Sequence, residues 1–375
     1  MAVYKIFPTK DATLYSLYPS MNTGLDAILE VSNTRNLELK PDVSRYLIEF
    51  DTSEIQDIID NKILGNEFDV FLKNSIATAQ GINANVELEI FATAQSWNNG
   101  TGHYLDIPEI NDGVSWNFRN FISGSTWDMS GNVGAYGFTG SYDLLNSPQG
   151  GGSFFTSSTL IPQVTESFNL RSNKDLELNV KEFTKLWYSG SIPNYGFLTK
   201  LSSSAEFHPS SSIQPILKYY SVDTNTIYPP QLEFRWRDYS LYSPSTSSIV
   251  NTKQIKLSLD DNQGEFQPSS INRFHVNVSP LYPTRSYQIT SSLFTGTNYL
   301  PTSSYYAIKD LATNEFIINF DTQYTQISSD IRGNYFDVYM SGLEPERYYK
   351  ILIKTEIDGS TLILDDDYYF KVING

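Results

Sequence analysis

Apolar and polar side chains alternate residue by residue in one short segment after another of this chain, and that pattern restricts the fold more than any other feature. Alternation at period two sorts side chains onto the two faces of an extended strand, whereas a helix needs a period near 3.6. In the stretch Arg45-Tyr46-Leu47-Ile48-Glu49-Phe50-Asp51-Thr52-Ser53, Tyr46, Ile48 and Phe50 fall on one face and Arg45, Glu49 and Asp51 on the other. This is the pattern of a sheet with one buried face. Phe68, Val70 and Leu72 alternate with Asp69, Phe71 and Lys73, and Val86, Leu88 and Ile90 alternate with Glu87 and Glu89. Leu232, Phe234 and Trp236 repeat the pattern, as do Ile255, Leu257 and Leu259, and Phe274, Val276 and Val278. A further strand carries Tyr349, Ile351, Ile353 and Ile357, and Asp358-Gly359 reads as its hairpin turn to Thr361–Leu364. No long amphipathic helix interrupts this series, so the fold class is all-β.

Two short helices fit between the strands. Ser53 with Gln56 has capping-box spacing, and Ile55, Ile58 and Ile59 then repeat at helical spacing. A second helix is expected over Val180–Trp187, capped by Asn179, with Glu182 at the third position. Short strands are also expected at Val3–Phe7, Ala12–Tyr15, Ala27–Ser32, Gly196–Leu201 and Ile216–Ser221. Residues 97–160 differ, being rich in Gly, Ser, Asn and aromatic residues, and form a long excursion of the kind that often carries function. With 375 residues the chain is expected to hold two or three domains. The polar run at 223–226 followed by Tyr228-Pro229-Pro230 marks a stiff linker. The expected organisation is a β domain at 1–222, a linker at 223–230, and a second β domain at 231–375 with a subdivision near 300–310.

Composition narrows the function. The formal net charge is −16, a field that repels nucleic acid. With no cysteine there is no disulfide, thiolate zinc site or thiol nucleophile. No apolar run reaches the roughly 18 residues of a membrane span. Met1-Ala2-Val3-Tyr4-Lys5 leads directly into strand-like sequence and does not read as a signal peptide.

Several motifs occur in the order found in DNRLRE-type domains. They are Asp11-Ala12-Thr13-Leu14 with Asn22-Thr23-Gly24, the Arg45–Ser53 strand, Trp97-Asn98-Asn99-Gly100-Thr101-Gly102, Asp112-Gly113-Val114-Ser115-Trp116 with Trp127, Asn194-Tyr195-Gly196-Phe197, and Glu206-Phe207 with Pro215-Ile216-Leu217. Over residues 8–221 the chain therefore resembles that family, a jelly roll related to carbohydrate-binding modules, with residues 131–152 as an insertion. Leu343-Glu344-Pro345-Glu346-Arg347-Tyr348-Tyr349 is similar to the tyrosine corner of fibronectin type III folds. There a Tyr hydroxyl, here that of Tyr349, bonds back to the backbone beside Leu343 and Pro345. These resemblances imply a jelly-roll β-sandwich followed by one or two immunoglobulin/fibronectin III-like sandwiches. A Cys-free, Tyr- and Ser-rich β protein without a secretion signal also resembles virion proteins of T4-like tailed bacteriophages.

Catalytic patterns are weak. His103, His208 and His275 are far apart, and His103 is expected to be exposed. Asp106, Glu109 and Asp112 read as loop decoration, and Asp365-Asp366-Asp367 as a solvated turn rather than a calcium loop. No cofactor is expected, and the one place a structural calcium ion would fit is Asp11 with the Asn22 turn. Trp97, Trp116 and Trp127, with Tyr136 and Phe138, are the candidate contact residues. They would fill the core or an interface, or else stack on a sugar ring. The expected function is non-enzymatic: a virion structural protein made in the host cytoplasm, assembling symmetrically with itself and with other virion proteins at tail, neck, baseplate or fibre attachment. No nucleic-acid or membrane partner is expected, and the alternative is a carbohydrate-binding module recognising a host glycan.

Overall fold

The computed structural model describes residues 2–35, 41–63, 67–82, 85–128, 133–135, 150–155, 161–206, 215–242, 248–282 and 297–374. Strand accounts for 46% against 8% helix, so the chain is all-β, as the alternation requires. It divides into two compact units. One comprises Ile6–Lys62 and Asp69–Glu233; the other comprises Met1–Lys5, Ile63–Phe68 and Phe234–Gly375. The second thus takes in two short pieces from the first quarter of the sequence. Val3 is buried in its core with Phe274 and Phe336, which anchors the first of them.

The first unit is built on a curled, eight-stranded sheet. Its strands are β1 (Lys10–Tyr15), β2 (Ile28–Arg35), β3 (Pro41–Glu49), β4 (Ile76–Gln80), β5 (Val86–Ala92), β6 (Val164–Phe168), β7 (Phe197–Leu201) and β8 (Ile216–Tyr220). Their order is β6-β5-β7-β3-β2-β8-β4, and β1 pairs with β3. The central strand corrects the sequence expectation of one buried face, because Val43 to Ile48 are all buried. Tyr46, Ile48 and Phe50 do share a face. There Tyr46 stacks obliquely on Tyr219 at 5.9 Å and Phe50 meets Phe197 edge-on at 6.4 Å. The opposite face, carrying Val43, Arg45 and Leu47, is covered too. Trp97, Val114, Trp116, Trp127 and Phe154 of the long excursion pack on it together with Leu14 and Leu198. A strand alternates in polarity only where one side meets water, and here a loop distant in sequence supplies the second layer.

Both helices form. The first spans Thr52–Asp57, with Asp51 rather than Ser53 as its cap: the Asp51 carboxylate accepts from the Ser53 amide at 2.9 Å. Ile55 and the following Ile58 are buried. The second spans Lys181–Tyr188, and Asn179 accepts from the Lys181 amide at 3.1 Å. Its Phe183 and Trp187 close on Phe197, with ring centroids 5.7 and 4.7 Å apart.

The second unit is a sandwich of two sheets. Its strands are β9 (Ile255–Asp260), β10 (Glu265–Phe266), β11 (Ile271–Pro280), β12 (Ser304–Asp310), β13 (Phe316–Ile318), β14 (Ser328–Ser329), β15 (Asn334–Tyr339), β16 (Arg347–Ile357) and β17 (Ser360–Val372). One sheet runs β9-β11-β15-β14 and the other β10-β17-β16-β12-β13. Leu257, Val276 and Phe336 from the first sheet and Ile308, Ile351 and Phe370 from the second share one core. Asp358 and Gly359 both have positive φ, 51° and 69°, as a tight hairpin turn needs. The Tyr349 hydroxyl donates to the Glu344 carbonyl at 3.0 Å, the bond expected of that residue, while Leu343 lies in the core.

Candidate functional site

Asn22 is the hub that fastens the excursion to the turn after β1. Asn22 Nδ2 donates to the carbonyls of Asn99 (2.6 Å) and Val114 (2.8 Å), and its Oδ1 accepts from the Gly102 amide (2.8 Å). Asn99 Nδ2 returns a bond to the Gly24 carbonyl at 2.6 Å. Backbone approaches side chain so closely here that only glycine fits. A Cβ on Gly113 would lie 2.4 Å from the Asn99 carbonyl oxygen, and Gly100 combines a φ of 81° with the same clearance to Asn22 Oδ1. The Asn22-Thr23-Gly24, Trp97–Gly102 and Asp112–Trp116 motifs, separate in sequence, therefore meet in space as one interlock.

This interlock carries the tryptophans inward. Trp97 donates its indole N–H to the Tyr195 carbonyl at 3.0 Å and Trp127 to that of Ser115 at 3.1 Å. Trp116 is 1% exposed and lies beneath the Arg45 guanidinium, 5.0 Å from its ring centre. All three fill the core and none presents a ring face to solvent. Tyr136 and Phe138 lie outside the described residues, as does most of 131–152.

Around Trp116 sits a buried ionic network with no signature in local sequence. Arg45 forks onto Glu206, with Nε–Oε1 at 2.6 Å and the second bond at 3.1 Å, and also donates to the Gly151 carbonyl at 2.8 Å. Lys200 bonds Glu89 at 2.5 Å and the Leu201 carbonyl at 2.8 Å, and lies 3.8 Å from Glu206. The side chains of Arg45, Glu206 and Lys200 are fully enclosed. With Glu89 they make a set of two cations and two carboxylates that balance in charge.

The surface of this unit offers a different constellation, which sequence reading missed. Tyr104 packs on Tyr15 at 4.8 Å and edge-on against Tyr18 at 6.1 Å, and remains 44% exposed. Tyr15 donates to Glu30 at 3.5 Å, and Lys218 pairs with Glu30 at 3.1 Å. Burial raises the carboxyl pKa values of Asp26 and Asp42, the latter raised further by the charge of Glu30. Burial also raises the Tyr104 phenol, with contributions from Tyr18 and the same three carboxylates. Beside this cluster the chain exposes Leu17, Leu25, Leu105 and Ile107, the last at 98%. The amide of Leu105 is held on Met21 Sδ and that of Leu25 on the Gly102 carbonyl, so the interlock also fixes this apolar rim. Acceptors and phenols next to apolar side chains can bind donors on a partner protein or on a sugar; they supply no nucleophile with an adjacent base.

The remaining residues singled out by sequence have structural surroundings. Asp112 accepts from the Thr101 amide and hydroxyl at 2.9 and 2.6 Å, and Asp106 from the His103 amide at 2.8 Å. His103 is exposed, and His208 lies outside the described residues. His275 is buried and bonds Asp261 at 2.7 Å. Asp365, Asp366 and Asp367 do not form a turn; they are an irregularity within β17, where Asp365 and Asp367 clamp Lys350 at 2.7 and 2.8 Å. Among the described residues no group of three or more His, Asp or Glu is arranged to hold a metal ion.

Among the described residues of this unit, Asp11 is the carboxylate with a large shift. It is buried, accepts from Ser221 Oγ at 3.1 Å and the Val222 amide at 2.8 Å, and burial pushes its pKa up to about 7. The folded protein then holds a proton that the unfolded chain releases near pH 4. This contribution to stability is therefore present at acid pH, falls as pH rises from about 4 to 7, and is gone above that; it amounts to at most about 4 kcal/mol. Asp11→Asn mimics the protonated form, with its amide able to meet Ser221 and its carbonyl Val222. Urea unfolding of both proteins at pH 5 and pH 8 is expected to show the variant gaining on the parent at pH 8. An equal difference at the two pH values would contradict the buried, protonated state.

The chain matches no protein-family model and no curated protein. Among solved structures it is similar over 99% of its length to a DUF4785 family protein from Legionella pneumophila, at 8% identity and a TM-score of 0.19. The chain spans 65% of that protein, and a similarity of this size carries no inference about fold or activity.

Proposed function

We propose that this chain is a non-enzymatic structural protein that acts through protein–protein assembly surfaces, as a component of a tailed-phage virion at the tail, neck, baseplate or fibre attachment. The observation that carries this reading is the apolar rim beside Tyr104, where Leu105 and a fully exposed Ile107 stand in water next to a carboxylate cluster. Large exposed apolar groups set against polar ones are the mark of a docking surface. The tryptophans that a sugar would stack on are instead committed to the core. Mass spectrometry of gradient-purified particles is expected to find the chain. Ile107→Asp is expected to reduce its incorporation by at least about tenfold, the effect of losing one central apolar anchor. Its melting temperature should stay unchanged, since the side chain is already solvated. Absence from particles, or undiminished incorporation of the variant, would defeat the proposal. Binding to a glycan array that disappears on Tyr104→Ala would instead favour carbohydrate recognition at this same face.

A further inference from the structure

Among the described residues, one sheet face of the second unit keeps exposed side chains, and that face is not the polar surface expected of a half-solvated antiparallel sheet. The core side of β12, β16 and β17 carries Tyr306, Ile308, Tyr349, Ile351, Ile353 and Phe370. The register places Tyr305 opposite Lys354, Lys309 opposite Lys350, Lys350 opposite Tyr369, and Tyr348 opposite Lys371 on the other side. Phe316 on β13 pairs with Lys309. Lysines lie over aromatic rings throughout: Lys309 over Phe316 at 5.0 Å, Lys354 over Tyr305 at 5.6 Å and Phe320 at 5.9 Å, and Lys371 over Tyr348 at 5.9 Å. The aromatic groups stay accessible, with Tyr348 54%, Phe316 45% and Tyr369 42% exposed.

Lys371 of β17 is paired with Glu346, and the other charges of β17 and β12 on this face are segregated. Asp365 and Asp367 project from β17, on one side of the central strand β16, and hold Lys350. Lys309 lies on β12 on the other side, beside β13, and Lys354 projects from β16 towards it, its ammonium over Tyr305 of β12. Neither Lys309 nor Lys354 has an ion-pair partner among the described residues, and both carboxylates keep lone pairs beyond the one each gives to Lys350. One flank is thus acidic and the other basic, with aromatic and aliphatic side chains between.

We infer that this face docks onto the same face of a second copy of the chain, about a two-fold axis running along β16. A two-fold axis in that direction lays the acidic β17 of each copy over the Lys309 and Lys354 flank of the other, so a single surface is complementary to itself. The alternative two-fold, across the strands, sets like charges together. Sheet-on-sheet packing at about 10 Å would bury the tyrosines, with Phe316 on the edge strand β13 at its border. The occupant is a second copy because the charge pattern is matched by its own mirror and because the chain, at −16, has few other basic flanks to offer. This inference is independent of the virion reading and is tested on the purified chain alone.

The test is sedimentation equilibrium of three proteins. Wild type is expected to dimerise, and the dimer to weaken as salt rises. Lys309→Glu/Lys354→Glu places acid over acid and is expected to weaken dimerisation by about 100-fold; Asp365→Lys/Asp367→Lys places base over base and should do the same. An equimolar mixture of the two variants restores opposite charges at both contacts and is expected to form a heterodimer near wild-type strength. Circular dichroism melts establish that each variant is folded, and the salt dependence of wild type stands if one is not. A wild type that stays monomeric, variants that dimerise as well as wild type, or impaired variants that the mixture does not rescue would each overturn the inference.

Discussion

Arg45→Met is expected to cost the folded chain about 3–5 kcal/mol, the range for removing one partner of a buried ion pair and stranding the other. The geometry explains why the effect falls at the top of what single substitutions do. Both oxygens of Glu206 are engaged by the Arg45 fork, and neither side chain has any solvent exposure. Without Arg45 the Glu206 carboxylate keeps, among the described residues, Lys200 at 3.8 Å, and the Gly151 carbonyl loses the Arg45 donor. Urea denaturation measures the loss. The double variant Arg45→Met/Glu206→Met removes both charges and is expected to recover a large part of it, because the apolar pair fits beside Trp116 without a desolvated ion. A double variant no more stable than the single would show that packing around the arginine, and not the stranded carboxylate, sets the cost.

Asn22→Ala is expected to be comparably severe and to act on one region. Four backbone groups lose their partner at once: the carbonyls of Asn99 and Val114 and the amides of Gly24 and Gly102. At about 1–3 kcal/mol for each buried polar group left unsatisfied, several kcal/mol is at stake. Because the interlock ties the start of the excursion to the turn after β1, the variant is expected to expose the excursion before the sheet unfolds. Limited proteolysis should cut between residues 97 and 128, and tryptophan emission should shift to the red while far-ultraviolet dichroism persists. Loss of all signals in a single transition would instead mean that the excursion and the sheet form one cooperative unit.

Particular residues show how much of this was legible. The strands could be read because their inward residues alternate: in Phe68–Asn74 and Val86–Ala92 every second residue is buried. The Asp358-Gly359 hairpin and the Tyr349 hydroxyl bond were legible because a turn and a corner depend on a few adjacent residues. The second burial of β3 was not. Leu47 belongs to a buried face only because Trp97, Trp116 and Phe154, 50 or more residues away, are brought onto it. Arg45 read as a solvent-facing charge for the same reason, since its partner Glu206 is 161 positions away. The Tyr104 surface is not marked in the sequence because its members come from four strands and two loops, with no spacing to join them. The glycines of the Trp97–Gly113 stretch mark it as unusual in the sequence, but only the structure shows that they permit close backbone contact with Asn22.

The account holds that the aromatic excursion is interior and that the protein works through the rim of Tyr104, Leu105 and Ile107. Hydroxyl-radical footprinting of the purified chain and of the chain within purified particles tests both halves together. Trp97, Trp116 and Trp127 are expected to be protected in both states, while Tyr104, Leu105 and Ile107 are labelled in the free chain and protected in the particle. Labelling of the tryptophans in the folded free chain, or a rim labelled equally in both states, would contradict it.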